Sequence, residues 1–168
     1  MRWLLLLPFS QLFLILAVLV TPILPLFASQ EGWLPRWLWW FQTPDEPLDG
    51  DHGFKTEHAP FKGEVTNLQR YWNRCRWLWR NPAYGWDWIV LAYKPEPWDE
   101  LSIKGTRGLG GHLTEDGWYF ARKGYAWQLY ITHHWNETRC TKINLGWKLW
   151  GNAPHQFVFS PTGFWKKI

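Results

Sequence analysis

Cysteine is scarce in this chain, and charge is missing from its N-terminal segment. Only Cys75 and Cys140 occur among 168 residues, so one internal disulfide is the most that can form, and the count leaves the redox compartment open. No CxxC pair and no Cys/His array with zinc-like spacing is present, which excludes the common structural zinc sites. No charged residue lies between Arg2 and Glu31, which argues against a water-exposed segment there.

Catalytic motifs are missing too. The serines lack the flanking glycines of a nucleophile elbow. Cys75 falls on the apolar side of a predicted helix, which is typical of a buried small hydrophobe rather than of a nucleophile. Glu115 and Asp116 are adjacent and most simply form a turn. We therefore expect a protein that is not an enzyme, although the sequence alone leaves that class open.

A long apolar run occupies the N-terminus. The 25 residues from Trp3 to Phe27 are almost entirely apolar, and as a helix they would reach ~37 Å, enough to cross a hydrocarbon layer of ~30 Å. A secretory signal that ends at Ala28 is the alternative. The run is longer than a typical signal core, however, and Leu26 is large for the position three residues before cleavage. We predict an uncleaved, single-pass transmembrane anchor over residues 1-28, with its orientation left open.

Tryptophan is unusually abundant. The chain holds 17 Trp, 10 Phe and 6 Tyr. Trp and Tyr favour the membrane–water interface, where the ring is buried and its polar atom stays wet. A small domain with a core of large rings explains the composition equally well. The net charge of +4 and the pI of about 9.1 weakly favour anionic partners such as lipid headgroups or nucleic acid.

Residues 29-66 are predicted to form a Trp-rich interfacial segment followed by an acidic loop. Trp33, Trp37, Trp39 and Trp40 lie in a stretch that is too short to span a bilayer and is typical of a segment at headgroup depth. The loop that follows is rich in proline, glycine and acidic residues.

This acidic loop is the best candidate for a metal site. Hard cations such as Ca²⁺ and Mg²⁺ bind several carboxylate oxygens, and Asp45, Asp49 and Asp51, followed by His52, supply them here. The spacing does not match an EF-hand loop, and Pro47 stiffens the middle. The alternative is a polar surface loop whose Asp side chains accept hydrogen bonds from nearby backbone amides. Apart from this Ca²⁺ or Mg²⁺ site, no cofactor is predicted.

Residues 67-168 are predicted to hold an amphipathic helix, Leu68 to Arg80, and a small antiparallel β domain. At 100° per residue one helix face is apolar and collects Leu68, Tyr71, Trp72, Cys75, Leu78 and Trp79. The flanks and the back carry Arg70, Arg74, Arg76 and Arg80. A basic helix with Trp72 and Trp79 on its apolar side is typical of a membrane surface. The alternative is a helix that packs on a sheet with solvated arginines.

From Trp86 onward the pattern changes to period two. The predicted strands are Trp86–Tyr93, Leu101–Arg107, Trp118–Arg122, Tyr125–Trp135, Thr138–Trp147 and Gln156–Phe159. In the clearest strand Trp127, Leu129 and Ile131 point one way, which we expect to be the buried side, while Gln128 and Tyr130 point the other way. Short connections predict a meander, and the fold class is α+β.

A glycine-rich loop between two predicted strands is a second candidate site. Lys104 and Arg107, together with unobstructed backbone amides, could bind an anion, either a phosphate or a lipid headgroup. The alternative is a hairpin or bulge rich in glycine.

His133 and His134 are adjacent in a strand, so their rings are expected on opposite faces. Nucleic acid is a poor candidate partner, because lipid is the polyanion nearer to an anchored chain.

Four stretches carry a resemblance to a known family. They are Trp40 to Asp51, Arg80 to Gly85, Asn144 to Lys148 and Phe157 to Ser160. In their order along the chain they resemble a family of small proteins of unknown function encoded by tailed bacteriophages and prophages. The resemblance implies a phage origin and a bacterial host envelope, and it implies no activity.

These patterns together predict a membrane-anchored phage accessory or envelope-interaction protein of the bacterial host inner membrane. It would dock on the bilayer through Trp and Arg residues, with a host or phage membrane protein as a further candidate partner. Two alternatives stay open. One is a membrane-anchored, metal-dependent enzyme that uses the acidic loop, and the other is a structural virion component.

Overall fold

The computed structural model describes residues 2–58, 66–137, 139–161 and 166–167. The chain forms two compact units, Met1–Val90 and Leu91–Ile168. The first unit is helical and the second holds an antiparallel sheet, which confirms the α+β class and the apolar N-terminal helix. The domain boundaries predicted after residues 28 and 66 both fall within the first unit and stay predictions.

The described residues of the first unit form four α-helices and two short 3₁₀ helices. The α-helices are α1 (Arg2–Val20), α2 (His52–Glu57), α3 (Asn67–Arg80) and α4 (Tyr84–Ile89). The first 3₁₀ helix is Leu24–Phe27 and the second is Arg36–Phe41. Helix α1 ends just before Pro22, which cannot continue the backbone hydrogen bonding of the helix.

Helix α3 confirms the predicted helix, which begins one residue earlier than expected. Thr66 and Gln69 form a reciprocal capping box at its start. At its other end the Asn81 amide donates to the Trp77 carbonyl, and Pro82 follows. Local sequence therefore sets both ends of this helix.

A small apolar core holds the first unit together. Its buried members are Leu24, Leu34, Leu38, Leu48, Phe54, Trp77 and Leu78. The Phe54 and Trp77 rings meet edge to face at 5.1 Å between centroids. Gly50 has a φ of +81° and lies against both rings, so no side chain fits there. The core thus joins α2 and α3 to segments that precede them.

The predicted strand Trp86–Tyr93 is wrong, because Tyr84–Ile89 form helix α4. The alternation of aromatic and polar residues there resembles a strand, but Gly85 brings this segment against the second 3₁₀ helix. A Cβ atom on Gly85 would lie 2.0 Å from the Trp39 carbonyl oxygen. This close backbone approach favours a short helix that packs on its neighbour.

The second unit is an antiparallel meander in the order β1-β2-β3-β4-β5, and a two-residue strand β6 also pairs with β4. Its strands are β1 (Leu101–Gly105), β2 (Gly117–Lys123), β3 (Ala126–Asn136), β4 (Arg139–Trp147), β5 (Phe157–Ser160) and β6 (Lys166–Lys167). The five other predicted strands and the meander are confirmed, with ends shifted by one or two residues. Thr138, where one predicted strand begins, lies outside the described residues.

The expected burial of the sheet faces is wrong. Gln128 and Tyr130 are fully buried, while Trp127, Leu129 and Ile131 are only half-buried. The mixed face is buried because chain segments cover it and satisfy its polar groups. The Tyr130 hydroxyl donates to the Gly111 carbonyl at 2.9 Å, and the Gln128 amide donates to Asn144 at 2.8 Å. Tyrosine and glutamine are thus core residues of this unit.

Candidate membrane-docking surface

Helix α1 has an apolar side that the rest of the protein leaves exposed. This outer side consists of Leu4, Leu5, Phe9, Leu12, Ile15, Leu16, Val18 and Leu19. The inner side consists of the buried residues Trp3, Ser10 and Ala17. By length and composition α1 can cross a membrane, a property that signal sequences and core helices of soluble proteins share.

The middle of α1 is held by α4 and the second 3₁₀ helix. The Ser10 hydroxyl donates to the Asp87 carboxylate at 3.0 Å. The Phe13 ring stacks on Trp86 at 4.4 Å and on Phe41 at 4.9 Å between centroids. Burial raises the pKa of nearby Tyr84 to about 12, and the charges of Asp45 and Asp87 add to the shift. The inner side of α1 is thus in contact with polar and ionisable groups at mid-helix.

The C-terminal end of α1 is held by α3. The Trp79 indole donates to the Val18 carbonyl at 3.2 Å, and the Tyr71 hydroxyl donates to the Pro22 carbonyl at 2.6 Å. Between them the Cys75 thiol lies 3.9 Å from the Thr21 carbonyl oxygen. Burial raises the pKa of Cys75, which fits a structural thiol rather than a nucleophile. These contacts fix the segment after α1 against α3.

The predicted interfacial tryptophans fall into two groups. Trp37, Trp39 and Trp40 are exposed on the second 3₁₀ helix, and Trp33 is half-buried before it. The Trp39 indole also donates to the Leu34 carbonyl at 2.8 Å, so its ring is fixed in place. Trp37 meets Phe27 edge to face at 5.8 Å. An exposed ring with an anchored polar edge is suited to a membrane interface.

Helix α3 turns a different side to the core than the sequence predicts. Trp72 and Trp79 are exposed and pack edge to face at 5.7 Å. Leu68 is exposed as well, whereas Arg74 and Trp77 are buried. The predicted apolar face is therefore split, and part of the predicted polar back lies in the core. Phe54 supplies the packing partner for Trp77 that the helix pattern alone does not reveal.

The predicted interfacial arginines also include both exposed and buried residues. Arg76 and Arg80 are exposed and Arg70 is half-buried. The Arg74 side chain is only 7% exposed and pairs with Asp49 at 2.8 Å. It also donates to the carbonyls of Ser29 at 3.1 Å and Gln30 at 3.0 Å. Arg74 is thus a core residue in this structure and lies away from the exposed surface.

The candidate metal ligands are separated by their partners. Asp49 pairs with Arg74, and Asp51 accepts a hydrogen bond from the Phe54 amide at 2.7 Å as the cap of α2. Asp45 is exposed, and so is His52 in the first turn of α2. In the part of the chain that the structure describes, no group of three or more His, Cys, Asp or Glu residues is arranged to hold a metal ion. The metal site stays a prediction that this geometry does not support.

The candidate anion ligands lie on opposite faces of the sheet. Lys104 pairs with Phe120 on the less buried face. Arg107 crosses to the other face, where it lies 5.1 Å from the Tyr130 ring centroid. Its guanidinium donates to the Glu115 and His112 carbonyls at 3.0 Å each and to the Thr132 hydroxyl at 2.6 Å. Arg107 thus holds the glycine-rich loop over the buried face, and the structure does not bring the two cations together.

His133 and His134 both approach one carboxylate, which sequence reasoning missed. A register shift follows His134, and Asp116 contacts the His134 ring while lying 3.8 Å from His133 Nδ1. Loss of hydration opposes ionisation of Asp116, but hydrogen bonds from His134 outweigh it and lower the pKa of this carboxyl. The arrangement joins β3 to the residue that precedes β2, because the His134 backbone amide also donates to the Asp116 carboxylate at 2.6 Å.

Comparison with known proteins adds one finding. No curated protein and no solved structure matches the chain. A profile of a family of unknown function, DUF7338, matches residues 1–167. Because the match covers almost the whole sequence, the chain belongs to the DUF7338 family.

Proposed function

We propose that this protein is attached to a membrane through α1 and docks on the bilayer as a non-enzymatic envelope-interaction protein. One observation carries the proposal: the outer side of α1 and the exposed residues Trp37, Trp39, Trp40, Trp72 and Trp79 belong to the same compact unit. Contiguous exposed apolar surface of this extent is typical of a membrane or protein contact. The resemblance to phage-encoded proteins favours a phage accessory role at the bacterial inner membrane.

Retention of the leader is supported by its place in the core. Leu24 is 4% exposed and packs with Leu34, Leu38 and Trp77 in the core cluster. Cleavage after Ala28 would remove Leu24 and would break the Ser10–Asp87 hydrogen bond. A signal peptide that is discarded has no need of such contacts, so we propose that residues 1–28 remain on the mature protein.

The exposed cations favour an anionic bilayer. Arg76 is exposed on α3 beside Trp72 and Trp79, and Arg70 is half-buried on the same helix. Long arginine side chains can place their apolar stems along a membrane surface while the charge reaches the phosphates. Each cation near an anionic surface contributes about 1 kcal/mol to binding. The attached chain would then hold the sheet unit near a host or phage membrane protein.

Flotation of the full-length protein on liposomes tests this proposal. After reconstitution from detergent, we expect the protein to float with vesicles, and more so with anionic than with zwitterionic lipid at low salt. The double variant Leu12→Glu/Leu19→Glu places charge on the outer side of α1 and should float poorly. Trp98→Glu is the matched control, because Trp98 is an exposed apolar residue of the second unit. Wild-type protein that stays soluble and monodisperse without detergent or lipid would refute the proposal.

A further inference from the structure

We infer that α1 lies in the plane of the membrane interface, with its outer side among the acyl chains, and that it does not cross the bilayer. This inference rests on the proposed membrane attachment and specifies its geometry. The occupant of the outer side is a lipid bilayer, and the inner side faces protein. Length and composition alone favour a crossing, so the contacts of α1 have to decide between the two arrangements.

Protein covers one side of α1 along its whole length. Trp3, Ser10 and Ala17 are buried and follow one another at intervals of seven residues. Because seven residues are close to two helical turns, these positions lie on one side. The opposite side is exposed over the same length, with Leu5, Leu12 and Leu19 at 69%, 66% and 71% exposure. An anchor that projects from a domain into a bilayer would instead be covered at one end only.

The middle of α1 is in contact with an ionisable side chain. Ser10 lies near the midpoint of Arg2–Val20 and is bonded to Asp87 at 3.0 Å. If α1 crossed the bilayer, α4 and the Asp87 carboxyl would lie near the centre of the hydrocarbon, where ionisable side chains are strongly disfavoured. If α1 lies in the interface plane, the same contact faces away from the acyl chains. The in-plane arrangement therefore needs no charge in the hydrocarbon.

The rim of the outer side combines an apolar side chain, a cation and indole rings. Leu26 and Arg70 line one shallow groove just after α1, and Leu26 is 72% exposed. Exposed tryptophans occur nearby, with Trp37 against Phe27 and Trp79 bonded to the Val18 carbonyl. An apolar side chain next to a cation, bordered by indoles, matches the boundary between acyl chains and anionic headgroups. A bilayer surface provides the apolar layer and the negative charge side by side.

Spin labels along the outer side test the inference in vesicles. Single cysteines replace Leu5, Leu12 or Leu19, which lie on one line and span ~21 Å of helix. The native Cys75 and Cys140 are buried and serve as the unlabelled background. We expect equal depths for all three labels, measured by collisions with oxygen and with a water-soluble nickel chelate. A deep Leu12 label between two shallow ones would overturn the inference, and so would strong spin–spin broadening between copies, which would indicate a dimer contact.

A second measurement asks whether the start of α1 and the start of α2 lie on one side of the membrane. In the double variant Arg2→Cys/His52→Cys, both sites are exposed in the native structure. With a membrane-impermeant maleimide of large mass, we expect molecules with two tags or none, whatever the mixture of orientations in the vesicles. One tag on every molecule would show a crossing and overturn the inference while membrane attachment stands. Failure of all variants to bind vesicles would overturn the proposed function itself.

Discussion

Arg74 shows that a charged residue on the predicted polar side of a helix can be buried. Its guanidinium is buried, yet it pairs with Asp49 and donates to two backbone carbonyls. A buried arginine is tolerated when its charge and its donors are satisfied in this way. The pair joins α3 to the segment that follows α1. Asp49 is therefore engaged as a counter-ion, and that role competes with metal binding.

The first prediction concerns this ion pair. Asp49→Asn keeps the size of the side chain but leaves the Arg74 charge without its counter-ion, so we expect a loss of about 3 kcal/mol in the free energy of unfolding. Denaturant unfolding of the full chain in a mild detergent, followed by tryptophan fluorescence, measures the loss. Added Ca²⁺ or Mg²⁺ should not change the wild-type midpoint.

The matched control is the exposed pair between Arg80 and Glu57, 3.6 Å apart. Exposed ion pairs contribute about 0–1 kcal/mol, so Glu57→Gln should be close to wild type. Equal effects of Glu57→Gln and Asp49→Asn would contradict the structural role given to Asp49. A midpoint that rises with Ca²⁺ in wild type but not in Asp49→Asn would favour the metal site instead.

At the scale of elements, periodicity predicts where helices and strands lie better than which side they bury. The ends of α3 follow from Thr66 and Asn81, so they were accessible from sequence. Its buried side depends on Asp49 and Phe54, which are distant in the chain and supply the partners of Arg74 and Trp77. Non-local partners of this kind leave no mark on local periodicity.

In the sheet, too, periodicity predicts the strands but not which face is buried. Alternation in β3 is real, but Tyr130 and Gln128 are buried because the glycine-rich loop and neighbouring backbone accept and donate their hydrogen bonds. The prediction of a strand over Trp86–Tyr93 is wrong for a related reason. The alternation of its residues fits a strand, and only the contact between Gly85 and Trp39 shows that this segment packs as helix α4. The exposure of Trp37, Trp39 and Trp40 agrees with the predicted interfacial segment, whose contact with lipid stays a prediction, whereas local periodicity did not reveal the burial of Arg74.

The second prediction concerns the packing of α4. Gly85→Ala would place a methyl group 2.0 Å from the Trp39 carbonyl oxygen, and backbone cannot move as easily as a side chain. We expect a loss of at least about 3 kcal/mol in the free energy of unfolding. The control is Gly53→Ala in α2, where the nearest atom is 3.5 Å from the new Cβ. That change should be neutral or stabilising, by about 0.5–1 kcal/mol. Equal loss in both variants would contradict the close packing of α4.

For the whole molecule, the apolar leader belongs to the fold and also exposes the surface that we propose to bind the membrane. Its outer side exposes leucines that a soluble protein would bury, and its inner side provides Ser10 and Ala17 to the first unit. The segment after it contributes Leu24 to the core. The fold of the first unit therefore includes the leader, and the proposed membrane attachment would use the opposite side of the same helix.

The last prediction tests this dependence with two neighbouring leucines. Leu24→Ala removes a buried side chain and should cost about 3 kcal/mol of stability. Leu26→Ala removes an equal volume from a position that is 72% exposed and should change stability by less than about 0.5 kcal/mol. Intact mass spectrometry of wild-type protein from a bacterial host should show that residues 1–28 are present. A mature chain that begins at Ser29 and unfolds as cooperatively as the full-length protein would show that Leu24 is dispensable, and with it the structural role of the leader.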